Sequence, residues 1–218
     1  MNSPLDYTIH LPANREKEKK YPVIYAMHGK GSNEQNMLRL LQGLENDFIL
    51  IGIRGGIPQG NGYEYFSIKS IGNPNRDSFD KSVKDIESFI EYAKQSYPIE
   101  TNHQYLLGFS QGAILAMTLA LTMGNQIKGI VALNGYVPLF VKDEYPIKSV
   151  EDLSIYISHG EYDPVFPLTI GKENEAYFRE KSQNVHFTAY AVGHEVSYEN
   201  QQEFIKWLYN DLRPKLTE

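Results

Sequence analysis

The chain of 218 residues is long enough for one substantial domain and short for two. Its formal charge of -6 at pH 7 and pI near 5.6 argue against a general nucleic-acid binder. It contains no cysteine, which excludes disulfides, thiolate metal sites and a cysteine nucleophile. We therefore expect a single domain over residues 1–218, a small-molecule partner and no nucleic-acid partner.

The first residues show no basic region followed by an apolar core, so we predict no secretory signal and a cytoplasmic location. The mostly apolar stretch from Tyr105 to Gly124 is long enough for a membrane span. Gly108, Ser110 and Gln111 interrupt it in the middle, as a strand, a turn and a helix would. We therefore expect no stable membrane insertion.

Strand-like and helix-like patterns alternate along the chain. An edge strand is expected at 6–12, buried strands are expected at 21–27, 48–53, 127–133 and 153–158, and two further strands are expected at 103–107 and 185–192. Helices are expected at 34–44, 78–96, 113–121, 168–181 and 198–212. This alternation is typical of a mainly parallel sheet with helices on both faces.

Residues 54–77 are predicted to form a long loop, and loops of that length are usually functional or mobile. No insertion is large enough for a helical cap domain. The expected site is therefore open, and loops at 55–71 and 136–140 shape it.

The pentapeptide Gly108-Phe109-Ser110-Gln111-Gly112 lies where a predicted strand gives way to a predicted helix. Gly-x-Ser-x-Gly in that position is the pattern of a nucleophile elbow, a turn so tight that neighbouring side chains must be absent. It predicts Ser110 as a nucleophile.

A serine hydroxyl needs a base to accept its proton and a carboxylate to orient that base. Asp163 and His194 follow predicted strands at the sheet edge where Ser110 is expected, and the order Ser, Asp, His is that of an α/β-hydrolase. The rival carboxylates Asp143 and Asp152 precede a strand and so belong to the opposite edge.

These motifs resemble the phospholipase/carboxylesterase family of small α/β-hydrolases, which includes acyl-protein thioesterases and many bacterial carboxylesterases. The matching pieces are Gly108-Phe109-Ser110-Gln111-Gly112, His159-Gly160 followed by Asp163-Pro164-Val165-x-Pro167, and Gly193-His194. The resemblance implies an α/β-hydrolase fold, Ser110 as nucleophile, His194 as general base and then acid, and Asp163 as its orienting partner.

Acyl transfer also needs hydrogen-bond donors for the negatively charged oxygen of the tetrahedral intermediate. We expect them to be the backbone N–H groups of Gln111, directly after the nucleophile, and of Lys30, after the first buried strand. Relatives more often carry a small or apolar residue in place of Lys30. Its side chain therefore either points to solvent or favours anionic substrates.

Apolar and aromatic walls suit a short or medium acyl chain. We predict that Tyr65, Phe66, Val137 and Leu139 bind it. In relatives the place of Tyr65 is commonly taken by tryptophan.

Neither a metal nor a cofactor is expected. The sequence lacks the histidine spacings of a zinc site, and His28 and His159 are each predicted to bond loop backbone.

The predicted function is a serine carboxylesterase acting on a small-molecule ester. Thioester or lysophospholipid hydrolysis and a lactone or dienelactone hydrolase stay open as alternatives, as does a non-catalytic ligand-binding α/β-hydrolase. A homodimer also stays open.

Overall fold

A computed structural model describes residues 3–213 of the chain. The strands are β1 (Tyr7–His10), β2 (Tyr21–Met27), β3 (Ile49–Ile53), β4 (Ile57–Gln59), β5 (Gly62–Glu64), β6 (Ile68–Ser70), β7 (Asn73–Pro74), β8 (Ile99–Phe109), β9 (Gly129–Leu133), β10 (Ser154–Gly160) and β11 (Val185–Tyr190). The α-helices are α1 (Glu34–Leu40), α2 (Arg76–Ser96), α3 (Gln111–Met123), α4 (Leu139–Glu144), α5 (Leu168–Arg179) and α6 (Tyr198–Leu212).

The central sheet has seven strands in the order β1-β3-β2-β8-β9-β10-β11. The edge strand β1 runs antiparallel to β3, and the other neighbouring strands are parallel. The predicted mainly parallel sheet is therefore confirmed. The loops after β2, β8, β9, β10 and β11 consequently meet at one edge of the sheet, where open α/β sheets place their ligands.

Side chains of β2 alternate between two hydrophobic clusters, one on each face of the sheet. Val23 and Tyr25 pack with α2, α3 and α5, whereas Ile24 and Ala26 pack with α1 and α6. Burial on both faces explains why this strand is apolar throughout. Helices on both faces were predicted, and the structure confirms them.

The predicted long loop at 54–77 was wrong in detail, because it contains two small hairpins, β4–β5 and β6–β7. Their strands are only two or three residues long, too short for a periodic pattern. The helix after them begins at Arg76 and not at Ser78, since the side chain of Asn75 accepts the Ser78 N–H and caps the helix. The six-residue helix α4 was also missed.

The described residues contain no large cap domain, as predicted, and none of their helices is long and apolar enough to cross a membrane. The apolar run from Tyr105 to Gly124 is divided between β8 and α3. The predicted single domain includes residues 1–2 and 214–218, which lie outside the described range, and it stays a prediction.

Candidate active site

Ser110 lies in a tight turn between β8 and α3, with φ of 53° and ψ of -114°. Its N–H donates to the carbonyl of Leu133, the last residue of β9. A Cβ added at Gly108 would lie 2.1 Å from the Gly112 carbonyl oxygen, and one at Gly112 would lie 2.0 Å from that of Met27. Both ends of the pentapeptide therefore require glycine, and the strained turn holds the serine side chain out at the sheet edge.

The structure brings Ser110, His194 and Asp163 into one hydrogen-bonded chain. Nε2 of His194 lies 2.8 Å from Ser110 Oγ, and Nδ1 lies 2.7 Å from Asp163 Oδ2. The Asp163 carboxylate requires a proton on Nδ1, which leaves Nε2 of the neutral ring free to accept the serine hydroxyl. Phe109 and Phe166 pack against the imidazole at centroid distances of 5.0 and 5.3 Å. The ring is thus oriented from several sides.

The Asp163 side chain is fully buried and accepts four hydrogen bonds. Oδ1 accepts the N–H groups of Val165 and Phe166 at 2.8 and 2.9 Å, and Oδ2 accepts from His194 and from Asn134 Nδ2. Burial alone would raise the pKa of Asp163, but these hydrogen bonds outweigh it and hold the pKa below its usual value. The carboxylate therefore stays ionised beside the imidazole.

Asn134 was missed in the sequence. It directly follows β9, and its N–H donates to the carbonyl of Ser158 on β10. Its φ of 53° lies in the left-handed region, which asparagine tolerates better than most residues. The signal that could have found it is the one that found Asp163 and His194: a polar residue just after a strand, at the same sheet edge.

Lys30 and Gln111 both line the cavity beside Ser110. Gln111 is the first residue of α3, so its N–H has no acceptor within its own helix. Within residues 3–213, neither the Lys30 nor the Gln111 N–H donates to another protein group. Two residues beside Ser110 thus have backbone N–H groups without a protein acceptor, and their role as oxyanion donors stays a prediction.

For the Lys30 side chain, the sequence left two alternatives open: that it points to solvent, or that it favours anionic substrates. In the structure it forms an ion pair with Glu64. Its Nζ lies 3.3 Å from Oε2 of Glu64, whose side chain is buried, while the Lys30 side chain is 38% exposed. Lys30 thus lines the cavity with its ammonium group close to a buried carboxylate.

A cavity of about 540 Å³ surrounds Ser110. One wall is mostly apolar, and it comes from the face of the sheet that α2, α3 and α5 cover and from the β6–β7 hairpin. It consists of Phe66, Ile68, Ile71, Ile114, Tyr136, Val165 and Phe166. The opposite wall comes from α1 and its preceding loop, and it adds polar groups to apolar ones: Ser32, Asn36, Met37 and Leu40. The cavity thus has an apolar half and a more polar half, with Ser110 between them.

Of the two aromatic residues predicted to contact the substrate, Phe66 lines this cavity and Tyr65 does not. Tyr65 is buried behind the wall, where its hydroxyl donates to the Ile53 carbonyl at 2.7 Å and accepts the His28 N–H at 3.0 Å. The two residues lie in the bend between β5 and β6, and only Phe66 is turned toward the cavity.

Val137 and Leu139 do not line the cavity either. Val137 is buried in the core, and its N–H donates to the side chain of Asn174. Leu139 begins α4 and is 71% exposed. In their loop it is Tyr136 that reaches the cavity. Apolar composition indicated the right loop but could not give side-chain direction.

His28 and His159 bond loop backbone, as predicted. The His28 ring accepts the Gly55 N–H through Nε2 and donates to the Gly29 carbonyl through Nδ1, and the His159 ring donates to the Phe166 carbonyl. Burial lowers the pKa of both rings. In the part of the chain that the structure describes, no group of three or more His, Asp or Glu side chains could hold a metal ion.

A mainly parallel sheet with a serine elbow and a Ser-His-Asp chain at its carboxyl edge defines an α/β-hydrolase. A family model described as Phospholipase/Carboxylesterase matches residues 12–212. The chain therefore belongs to the phospholipase/carboxylesterase family, as its motifs predicted, and is an ester hydrolase.

Known proteins resemble the chain over most of its length. The putative hydrolase MhqD of Bacillus subtilis is 22% identical over 192 residues, which cover 88% of this chain and 94% of the relative. Acyl-protein thioesterase 1 of Debaryomyces hansenii is 28% identical over 158 residues, covering 68% and 67% of the two chains. The crystal structure of the Bacillus cereus carboxylesterase superposes with a TM-score of 0.85 at 20% identity, covering 97% and 96% of the two chains. The last comparison shows the fold alone.

Proposed function

We propose that the protein is a serine carboxylesterase that hydrolyses carboxylic esters of small or medium acyl chains through an acyl-enzyme on Ser110. The observation that carries the proposal is the unbroken hydrogen-bonded chain from Asp163 through His194 to Ser110, which opens onto a largely apolar cavity. Serine, base and oriented carboxylate are the groups that acyl transfer requires.

In the first half-reaction, Ser110 Oγ attacks the ester carbonyl carbon while its proton moves to Nε2 of His194. The carbonyl oxygen becomes negatively charged and accepts hydrogen bonds from the N–H groups of Lys30 and Gln111. As the intermediate collapses, the bond to the leaving alcohol breaks, and the alcohol takes the proton from His194. Asp163 stabilises the imidazolium throughout.

In the second half-reaction, water attacks the acyl group on Ser110. His194 accepts a proton from the water and returns it to the serine oxygen as the acyl-enzyme collapses, which releases the acid. Both steps use the same base and the same oxyanion donors, so each substitution among them is expected to affect both.

The apolar wall around Phe66, Ile71 and Tyr136 supports binding of the acyl chain there. For p-nitrophenyl esters of increasing chain length, we expect kcat/KM to rise from acetate to a medium chain and then fall. A flat profile, or one that peaks at long chains, would contradict this assignment.

Thioester hydrolysis is a second candidate, favoured by relatives that are named acyl-protein thioesterases. It uses the same acyl-enzyme with a thiol as leaving group. Matched oxygen and sulfur esters of one acyl chain, compared by kcat/KM, would decide the preference.

The serine assignment is tested by p-nitrophenyl acetate hydrolysis. Ser110→Ala is expected to lower kcat by about 10⁶-fold, as loss of the nucleophile does in serine proteases. The matched control is Ser88→Ala, which removes an exposed hydroxyl on α2 and should leave activity unchanged. Equal activity of the Ser110→Ala variant and the wild type would reject the proposal.

A cytoplasmic location, a homodimer and the absence of a nucleic-acid partner stay proposals that rest on the sequence. Light scattering of the purified protein tests the homodimer, and a monomeric mass at micromolar concentration would reject it.

A further inference from the structure

The side chain of Gln111 is tied to a buried segment next to the active site. Its Oε1 accepts the Tyr65 N–H at 2.8 Å, and its Nε2 donates to the Phe66 carbonyl at 2.6 Å. The Gln111 side chain is nearly inaccessible to solvent. The residue that offers one oxyanion donor through its backbone is thus fixed through its amide to residues 65 and 66.

The loop that carries the other donor is tied to the same segment. The Gly31 N–H donates to the Tyr63 carbonyl, and the Tyr63 N–H donates to the Ser32 carbonyl, both at 2.8 Å. These two hydrogen bonds hold Gly31 and Ser32, the two residues that follow Lys30. The side chain of Lys30 also reaches the buried carboxylate of Glu64.

The hydroxyl of Tyr65 connects the same segment to two strand ends. It donates to the Ile53 carbonyl at the end of β3 and accepts the N–H of His28, two residues before Lys30. The ring of Tyr65 also lies 4.7 Å from the imidazole of His28. Burial raises the pKa of Tyr65 far above its usual value, so the hydroxyl keeps its proton and remains a donor.

We propose that residues 63–66, here called the clamp segment, set the distance between the two oxyanion donors, and that Tyr65 is a positioning residue for them. The inference rests on the proposed function, since it assigns the donors their role in that reaction. Oxyanion stabilisation depends on donors that are already in place, because donors that must reorganise during the reaction stabilise the charge less. A displacement of about 1 Å can cost about 100-fold in rate.

The test compares Tyr65→Phe with the matched control Tyr25→Phe. Tyr25 is also buried, and its hydroxyl donates to the side chain of Gln104 in the middle of β8, six residues before Ser110. The measured quantities are the acylation rate constant from the p-nitrophenolate burst, KM, and the inhibition constant of a trifluoromethyl ketone that forms a tetrahedral adduct with serine. All rates are normalised to active sites titrated with a fluorophosphonate.

For Tyr65→Phe we expect the acylation rate constant to fall about 10- to 100-fold, with KM unchanged. The affinity for the ketone should fall by the same factor, because the adduct carries the charge that the donors stabilise. Tyr25→Phe should lower the melting temperature to a similar extent and leave the rate constant and the ketone affinity unchanged. If both variants lose stability but only Tyr65→Phe loses rate and ketone affinity, then Tyr65 positions the donors and its effect is not a general loss of stability.

The inference is overturned if Tyr65→Phe retains the wild-type acylation rate and ketone affinity per titrated site. If the wild type itself neither hydrolyses the ester nor reacts at Ser110, it is the proposed function that fails. If Tyr65→Phe does not fold, Gln111→Met is tested instead. This substitution keeps the backbone N–H of residue 111 and removes the hydrogen bonds from the Gln111 side chain to the backbone of Tyr65 and Phe66. The same fall in rate and ketone affinity is expected for it, and wild-type values would overturn the inference.

Discussion

Asn134 donates a hydrogen bond of 2.9 Å to Oδ2 of Asp163, the same carboxylate oxygen that faces Nδ1 of His194 at 2.7 Å. Two donors therefore meet on one oxygen, while backbone N–H groups occupy the other. The four hydrogen bonds fix the carboxylate beside the imidazole and stabilise its buried charge.

Replacing Asn134 with glycine removes this contact, together with a longer one of 3.4 Å from the same amide to the Gly193 carbonyl. Glycine suits the φ of 53°, so Asn134→Gly should remove the side-chain donor without backbone strain. Since hydrogen bonds hold the pKa of Asp163 low, losing one should raise that pKa. The carboxylate should then protonate at a higher pH than in the wild type, and the acidic limb of the kcat/KM profile should move to higher pH. An unshifted limb in a folded variant would contradict the assigned role.

The orienting role of Asp163 is tested by Asp163→Asn. The amide can still accept the Val165 and Phe166 N–H groups through its oxygen, so the loop should keep its shape. It presents no charge to the imidazolium, and kcat should fall by about 10⁴-fold, as in serine proteases. Asp152→Asn is the control, because that rival carboxylate is exposed and lies before β10 at the opposite sheet edge. Similar kcat values for both variants would contradict the assignment.

Substitutions at two exposed apolar residues test whether the apolar wall binds the acyl chain. Ile71 lines the cavity and is 64% exposed, whereas Leu139 is 71% exposed and does not line it. Ile71→Ser should lower kcat/KM for a medium-chain p-nitrophenyl ester by about fivefold, corresponding to about 1 kcal/mol of lost apolar contact. It should change acetate hydrolysis much less, and Leu139→Ser should change neither. A loss of the same size in both variants would place the acyl chain elsewhere.

Acid sensitivity of the fold should depend on Glu34, which is buried at the start of α1. Arg54 donates to both of its carboxylate oxygens, at 2.9 and 2.7 Å. The hydrogen bonds from Arg54 lower the pKa of Glu34 in the folded protein. The stabilisation they give is therefore fully present above the pKa that Glu34 has in the unfolded chain, and it is lost as pH falls through the lower pKa that Glu34 has in the folded protein. Glu34→Gln should cost about 2 kcal/mol at pH 7, and urea unfolding should show a difference from the wild type that shrinks below about pH 4.5. A difference independent of pH would contradict this account.

The strand ends were the most informative feature of the sequence. Buried parallel strands are apolar on both faces, so their carboxyl ends are visible in the sequence. Ser110 and Asp163 each follow such a strand, and His194 follows the half-buried edge strand β11. Because parallel strands bring their carboxyl ends to one edge, proximity followed from topology alone. The same rule would have found Asn134.

Side-chain direction within loops could not be predicted. Tyr65 and Phe66 are adjacent aromatic residues, yet only Phe66 faces the cavity, while Tyr65 bonds backbone in the core. The hairpins β4–β5 and β6–β7 decide which of them points inward, and they depend on pairing of segments too short to leave a periodic pattern. The role inferred for Tyr65 therefore required the structure.

The central claim is that Ser110 becomes covalently acylated, and peptide mapping after reaction with a fluorophosphonate tests it most directly. We predict one stoichiometric adduct on the peptide that contains Ser110, no adduct in Ser110→Ala, and a strongly slowed reaction in His194→Ala, where the serine has no base. A folded wild type that stays unlabelled, or an adduct on another residue, would contradict the account.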